Sequence, residues 1–191
     1  MMPSCHTPIP DETLLDYWAR DLADGNETDQ VEEHLFACGE CSARLDDMAS
    51  LGAGLATLAR QGRVTGIVSR TLLNRMQRDG VHVRLYSVVS GETVPCAVFP
   101  TDDLVGAAMR ADFSAADAVT LSVMGPGDSP IGEVDDVPVS KLDSELLWVL
   151  PAAVVRQMPS MRLRLTLASV GATRAVLGTY VLDHSASIPP T

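Results

Sequence analysis

The spacing of apolar residues changes near Asp79-Gly80, and that change constrains the fold more than any other feature of the chain. Before it, apolar residues recur at helical intervals: Leu14, Leu15, Trp18 and Leu22, then Val31 and Leu35 with Phe36 beside them. Leu45, Met48, Gly52, Leu55 and Ala59 continue as a narrow seam, and Ile67, Val68, Leu72 and Met76 share one further face. This spacing predicts helices over 13–23, 28–37, 41–61 and 64–78. Asp11 after Pro10 reads as the first cap, Asp24-Gly25-Asn26 as a turn, and Gly39 and Gly62 as breaks. From Val81 the period is two. Val81, Val83 and Leu85 alternate with His82, Arg84 and Tyr86, and 162–167 alternates in the same way. Further strands are predicted at 93–99, 104–113, 118–124, 145–150, 153–157 and 173–182, separated by turn signals that include Asp135-Asp136. The chain therefore reads as α+β in two domains. Residues 1–80 form a bundle of three or four helices, and residues 81–191 form a mostly-β sandwich or small barrel. The tail over 185–191 reads as irregular.

Charge and apolar content narrow the function classes. The formal net charge is -11, so direct binding to nucleic acid, which draws on Lys and Arg, is not expected. Within residues 1–50 the acidic side chains far outnumber the basic ones, Arg20 and Arg44, and such a surface suits a basic protein partner. The longest apolar stretch, 146–155, is too short to span a membrane and contains Pro151. No basic and apolar leader is visible at the start, so the cytoplasm is the expected compartment. There thiols stay reduced, and cysteines beside histidines read as metal ligands.

The informative run is Glu33-His34-Leu35-Phe36-Ala37-Cys38-Gly39-Glu40-Cys41. His34 and Cys38 stand four apart, on one helix face. Cys41 follows in a Cys-x2-Cys turn that Gly39 eases, where backbone N–H groups can point at thiolates. Three borderline-soft ligands at these spacings suit tetrahedral Zn2+, which wants a fourth. Cys5 and His6, just ahead of the first helix, are the two candidates. A four-ligand zinc site contributes folding energy, on the order of 10 kcal/mol in small fingers.

With its short first helix, its turn at Asp24-Gly25, its His34-x3-Cys38-x2-Cys41 motif and its long third helix, the chain resembles the zinc-binding anti-sigma factors. The resemblance covers residues 5 to about 78. It implies an N-terminal histidine as fourth ligand, hence the set His6, His34, Cys38 and Cys41, with Cys5 beside it as the alternative. It implies that the domain wedges between the two conserved domains of an extracytoplasmic-function sigma factor and withholds it from RNA polymerase until a signal such as stress releases it. It also implies that the fourth helix packs on the sigma factor, through Ile67, Val68, Leu72, Leu73 and Met76. Packing of these residues within the chain is the alternative. Some members of the family release zinc when ligand cysteines are oxidised to a disulfide. One branch carries a C-terminal metal cupin. This chain departs from that branch, since its β-half offers only His82 and His184, in distant strands.

That half is left with a small apolar ligand, a dimer contact or a relic as candidate roles. Cys96 and Trp148 read first as core residues there, as Trp18 does in the helical half. No nucleophile elbow, phosphate loop or His-Glu-x-x-His run is present, and a zinc with four protein ligands leaves no open position, so an enzyme is not expected. A zinc-stabilised sensor or binding protein with a non-sigma partner is the alternative function.

Overall fold

A computed structural model of the chain describes residues 5–22, 24–141, 143–171 and 174–186. The chain divides into two compact units, Met1–Leu58 with Ser69–Val81, and Ala59–Val68 with His82–Thr191. The predicted ends of the first helix at Ala23, of the last strand at Thr173 and of the tail over 187–191 lie outside the described residues.

The first unit is helical. Helix α1 spans Asp11–Ala19, α2 Gly25–Ala37, α3 Gly39–Arg60 and α4 Arg70–Arg78. Pro10, not Asp11, stands at the α1 N-cap, and α1 stops early because Arg20 turns into the left-handed region at φ 57°. Leu22 therefore leaves the helix, yet it still packs on the core of Ile9, Leu14, Val31 and Cys41. The Asp24 carboxylate caps α2 by accepting from the Asn26 N–H. Gly52 lets α3 approach α1: a Cβ there would lie 2.2 Å from the Trp18 indole. Helix α4 lies on α1, where the Arg75 guanidinium sits 4.9 Å over the Trp18 ring and donates to its carbonyl, and Arg78 pairs with Asp21.

The predicted fourth helix is only half helix. Gly66–Val68 forms strand β1, and Ser69 then caps α4 by accepting from the Leu72 N–H. Ile67 and Val68 are β-branched, and an antiparallel partner at Trp148 and Leu147 gives them a ladder in the second unit.

The second unit packs two sheets on one core. The first sheet runs β1–β7–β4–β2, with β2 Val83–Val88, β4 Leu104–Arg110 and β7 Glu145–Pro151. The second runs β3–β9–β8–β5–β6, with β3 Thr93–Cys96, β5 Ala118–Met124, β6 Pro130–Pro138, β8 Met161–Ser169 and β9 Val176–His184. Two pairings are parallel, β2 with β4 and β3 with β9, and the rest are antiparallel. Val88, Ala107, Met109 and Trp148 from one sheet meet Val119, Leu121, Leu165 and Tyr180 from the other. The fold is α+β, and the sheets do not close into a barrel.

Two sequence expectations fail in this unit. The predicted strand at 153–157 is a short helix, α5 Ala152–Val155, begun after Pro151. Asp135-Asp136, read as a turn, lies inside β6, where a register shift and φ 53° at Asp136 mark a bulge. Strand β6 is a sheet edge, exposed along almost all of its length, so it shows no alternating apolar pattern. The strand side chains also hide an ion pair. Arg84 donates to Asp102, which is 7% exposed, at 2.7 Å, and stacks 4.1 Å over Phe99.

Candidate metal centre

Helices α2 and α3 meet at one residue, Cys38. Its backbone is extended, so it ends α2 while its N–H still donates to the His34 carbonyl at 2.8 Å. Its own carbonyl accepts from the Ser42 N–H at 3.1 Å, the first turn of α3. The Ser42 hydroxyl joins the two helix ends by donating to the carbonyls of Leu35 and Cys38, at 2.7 and 3.2 Å. This hinge keeps His34 on the last turn of α2 and Cys41 on the first turn of α3, and aims both at the point Cys38 faces. The N-terminus of α3 contributes its partial positive charge to the same point, which favours thiolates.

The fourth member comes from the lead into α1. One ligand atom each from Cys5, His34, Cys38 and Cys41 falls within 4.8 Å of all the others. The Cys5 Sγ lies 3.5 Å from the His34 Nε2 and 4.0 Å from the Cys41 Sγ. A tetrahedral zinc with Zn–S of about 2.3 Å spaces its ligand atoms roughly 3.5–3.8 Å apart, close to the two separations from the Cys5 sulfur. These four residues could hold a metal ion, and their three sulfurs and one imidazole are a zinc-like set.

The expected set is thereby altered at one position. His34, Cys38 and Cys41 come together, whereas His6 is exposed and stands outside the group. The Cys5 N–H donates to the Glu40 carboxylate at 2.9 Å, and Ile9 is buried in the core of the unit. Pinned at both ends, the lead turns Cys5 inward, and its neighbour faces solvent.

Arg44 holds this arrangement from the α3 side, and nothing in the sequence pattern singled it out. It donates to the Ile9 carbonyl at 2.9 Å, pairs with Asp11, and places a guanidinium nitrogen 3.9 Å from the Cys41 Sγ. Three thiolates and a divalent ion carry a net charge of -1, and the Arg44 cation beside them offsets it. Glu40 and Ser42 were equally invisible in sequence, since a carboxylate or hydroxyl near a helix start usually serves only as a cap.

Protonation is shared unequally across the cluster. The Cys41 N–H donates to the Cys38 sulfur and, with the Cys5 thiol, lowers the Cys38 pKa to about 7 from the ordinary 9.0. Burial, followed by the neighbouring Cys38, pushes Cys5 up to about 11. Of these two thiols without a metal, Cys38 gives up its proton before Cys5.

Of the residues that the resemblance assigns to a partner, Leu72 is half-buried on α4. Ile67 and Val68 are strand residues of the second unit, and Leu73 and Met76 are 0% and 1% exposed. By contrast Phe36, expected near the inner face of α2, is 92% exposed, two residues from Cys38.

No protein-family model and no curated protein matches the chain. Among solved structures it is similar to the N-terminal domain of phage TP901-1 ORF48, at 6% identity and a TM-score of 0.34, over 55% of this chain and 99% of that one. No helix among the described residues is long and apolar enough to cross a membrane.

Proposed function

We propose that the first unit is a zinc-clamped anti-sigma module that sequesters an extracytoplasmic-function sigma factor. The observation that carries this reading is the cluster of Cys5, His34, Cys38 and Cys41 at the α2–α3 junction. Four protein ligands close the coordination shell, which suits a structural ion and not a reaction centre. The ion would tie the lead, α2 and α3 together in a unit whose apolar core is small. Around it lie features a protein partner can use. Phe36 stands almost fully exposed on the acidic helix α2. A cleft of about 340 Å³ opens beside it, lined by Tyr17, Glu32, Leu35, Ser42 and Phe36 itself. An exposed aromatic beside carboxylates is an anchor for a basic surface.

On this reading, oxidation supplies one route of release. Cys5 and Cys41 stand 4.0 Å apart, sulfur to sulfur. Hydrogen peroxide would take two electrons from the two ligand thiolates and two protons from solvent, leave as two waters, form the disulfide and remove two ligands from the ion.

A second reading keeps the zinc clamp and assigns a non-sigma protein partner. The burial of Leu73 and Met76 favours it, because the anti-sigma reading requires α4 to turn those side chains outward. Co-expression with a sigma factor encoded beside the gene separates the two. The first reading expects a one-to-one complex that weakens when Phe36 is changed to Ala and a block of transcription by that sigma factor. Absence of both the complex and the block selects the second.

A further inference from the structure

Two clefts on the first unit adjoin, because Tyr17 and Glu32 line both. The larger, about 570 Å³, reaches Thr28 on α2 and Ala49 on α3. The smaller, about 340 Å³, reaches Phe36 on α2 and Ser42 on α3, beside the hinge. They form one groove walled by α2 and α3, into which α1 puts Tyr17 and Trp18. Thr28 and Phe36 stand eight residues apart, so the groove runs about 12 Å, or two helix turns. Its apolar residues Tyr17, Leu22, Leu35, Leu45 and Ala49 are half-buried, and Phe36 at its end is 92% exposed. Contiguous apolar surface of this kind marks an interaction site.

Shape and charge select the occupant. The walls are helices, whose backbone groups are already hydrogen-bonded, so an extended peptide finds no edge to pair with. A helix fits, because its side-chain ridges can settle between theirs. The lining sets Glu32 and Asp46 against Arg20. Glu27, Asp29 and Glu33 on α2 and Asp47 on α3 are exposed on the same two helices. This excess of carboxylates disfavours a second copy of the chain or an anionic lipid surface and favours Lys and Arg. The Glu32 carboxylate accepts from the Tyr17 hydroxyl at 3.3 Å and keeps acceptor capacity for a cation.

We infer that this groove takes one amphipathic helix of a protein partner, with its apolar row on Tyr17, Leu45 and Phe36 and its Lys or Arg beside Glu32 and Asp46. A row at i, i+3, i+4 and i+7 spans the two turns of the groove, and Phe36 is its anchor. The inference rests on the proposed reading of this face as a partner surface, and it holds for a sigma factor or for another protein.

The test uses the reduced, zinc-loaded full chain and three synthetic peptides. One is a leucine–lysine helix with the apolar row, one has the same composition scrambled so that no row forms, and one is the leucine–glutamate counterpart. Fluorescence anisotropy gives the affinities, and amide shifts of the isotope-labelled chain locate the peptide. The patterned leucine–lysine peptide should bind with shifts at Glu32, Phe36 and Leu45, and the other two about tenfold more weakly or worse. Phe36→Ala alone, and Glu32→Gln with Asp46→Asn, should each weaken binding about tenfold or more. All three side chains are exposed, so these variants should fold, and unchanged zinc content checks that they do. No binding, equal binding of the scrambled peptide, or binding that Phe36→Ala leaves unchanged would overturn the inference. Self-association of the wild type that Phe36→Ala abolishes would also overturn it, by giving the groove to a second copy. A sigma factor that co-purifies while the patterned peptide fails to bind overturns this inference alone, and the converse pair of results overturns the sigma reading alone.

Discussion

Cys38 and Cys5 carry opposite electrostatic burdens, and the metal-free chain should show both as pH is varied. The Cys38 pKa is lowered from 9.0 to about 7, so the folded state favours its thiolate. That contribution is present above pH 9 and is lost as pH falls through 7. The Cys5 pKa is raised from 9.0 to about 11, so the folded state favours its thiol. That contribution is present below pH 9 and is lost as pH rises through 11. Together they give the metal-free first unit a stability maximum near pH 9. The residual helix signal of the zinc-free protein, followed by circular dichroism from about pH 6 to 12, checks this: it should peak near pH 9, and a profile that only rises or only falls counts against the unequal pair. His34, Cys38 and Cys41 were legible because helix periodicity and a short turn fix their relative positions. Cys5 against His6 was not legible. The choice between adjacent residues depends on how the lead is pinned, by Glu40 at Cys5 and by Arg44 at Ile9, and those contacts join residues 35 apart in sequence.

Among the elements, α1 and α3 are held at close range by a missing side chain. The Cβ of Gly52→Ala would fall 2.2 Å from the Trp18 indole, so the helices must separate or the ring must move. Overpacking of this kind costs about 1–3 kcal/mol. A thermal or denaturant melt of Gly52→Ala against Gly54→Ala is the check, because a Cβ at Gly54 meets nothing within 4 Å. Gly52→Ala should lose stability while Gly54→Ala gains slightly from helix propensity, and equal behaviour would remove Gly52 from the packing argument. Elements with a full period were readable in advance: α2 and α3, and strands such as β8 whose inward residues alternate cleanly. The failures have physical causes. Residues 64–69 carry a helical apolar spacing, but an available strand partner at β7 outweighed it. Strand β6 is an exposed edge with no apolar face to read, and its Asp135-Asp136 bulge mimics a turn.

For the whole molecule, the division into two units predicts two kinds of stability. The first unit has a small core whose wall includes Cys5, Cys38 and Cys41, whereas the second closes two sheets over a core of Phe113, Leu121, Leu165, Tyr180 and their neighbours. If zinc clamps the first unit, a strong chelator should melt much of its helix while leaving the β-sheet signal and its cooperative transition in place. Circular dichroism with and without chelator, followed by zinc add-back, reads this directly. Simultaneous loss of both signals, or loss of neither, contradicts a clamp confined to the first unit. Beneath that behaviour lies the cluster of Cys5, His34, Cys38 and Cys41, with His6 outside it. The most direct measurement is zinc per chain in the purified wild type, Cys5→Ala and His6→Ala, taken by elemental analysis after gel filtration. One zinc per chain is expected in the wild type and in His6→Ala, and a markedly lower content in Cys5→Ala. Retention of zinc by Cys5→Ala together with its loss in His6→Ala would contradict it.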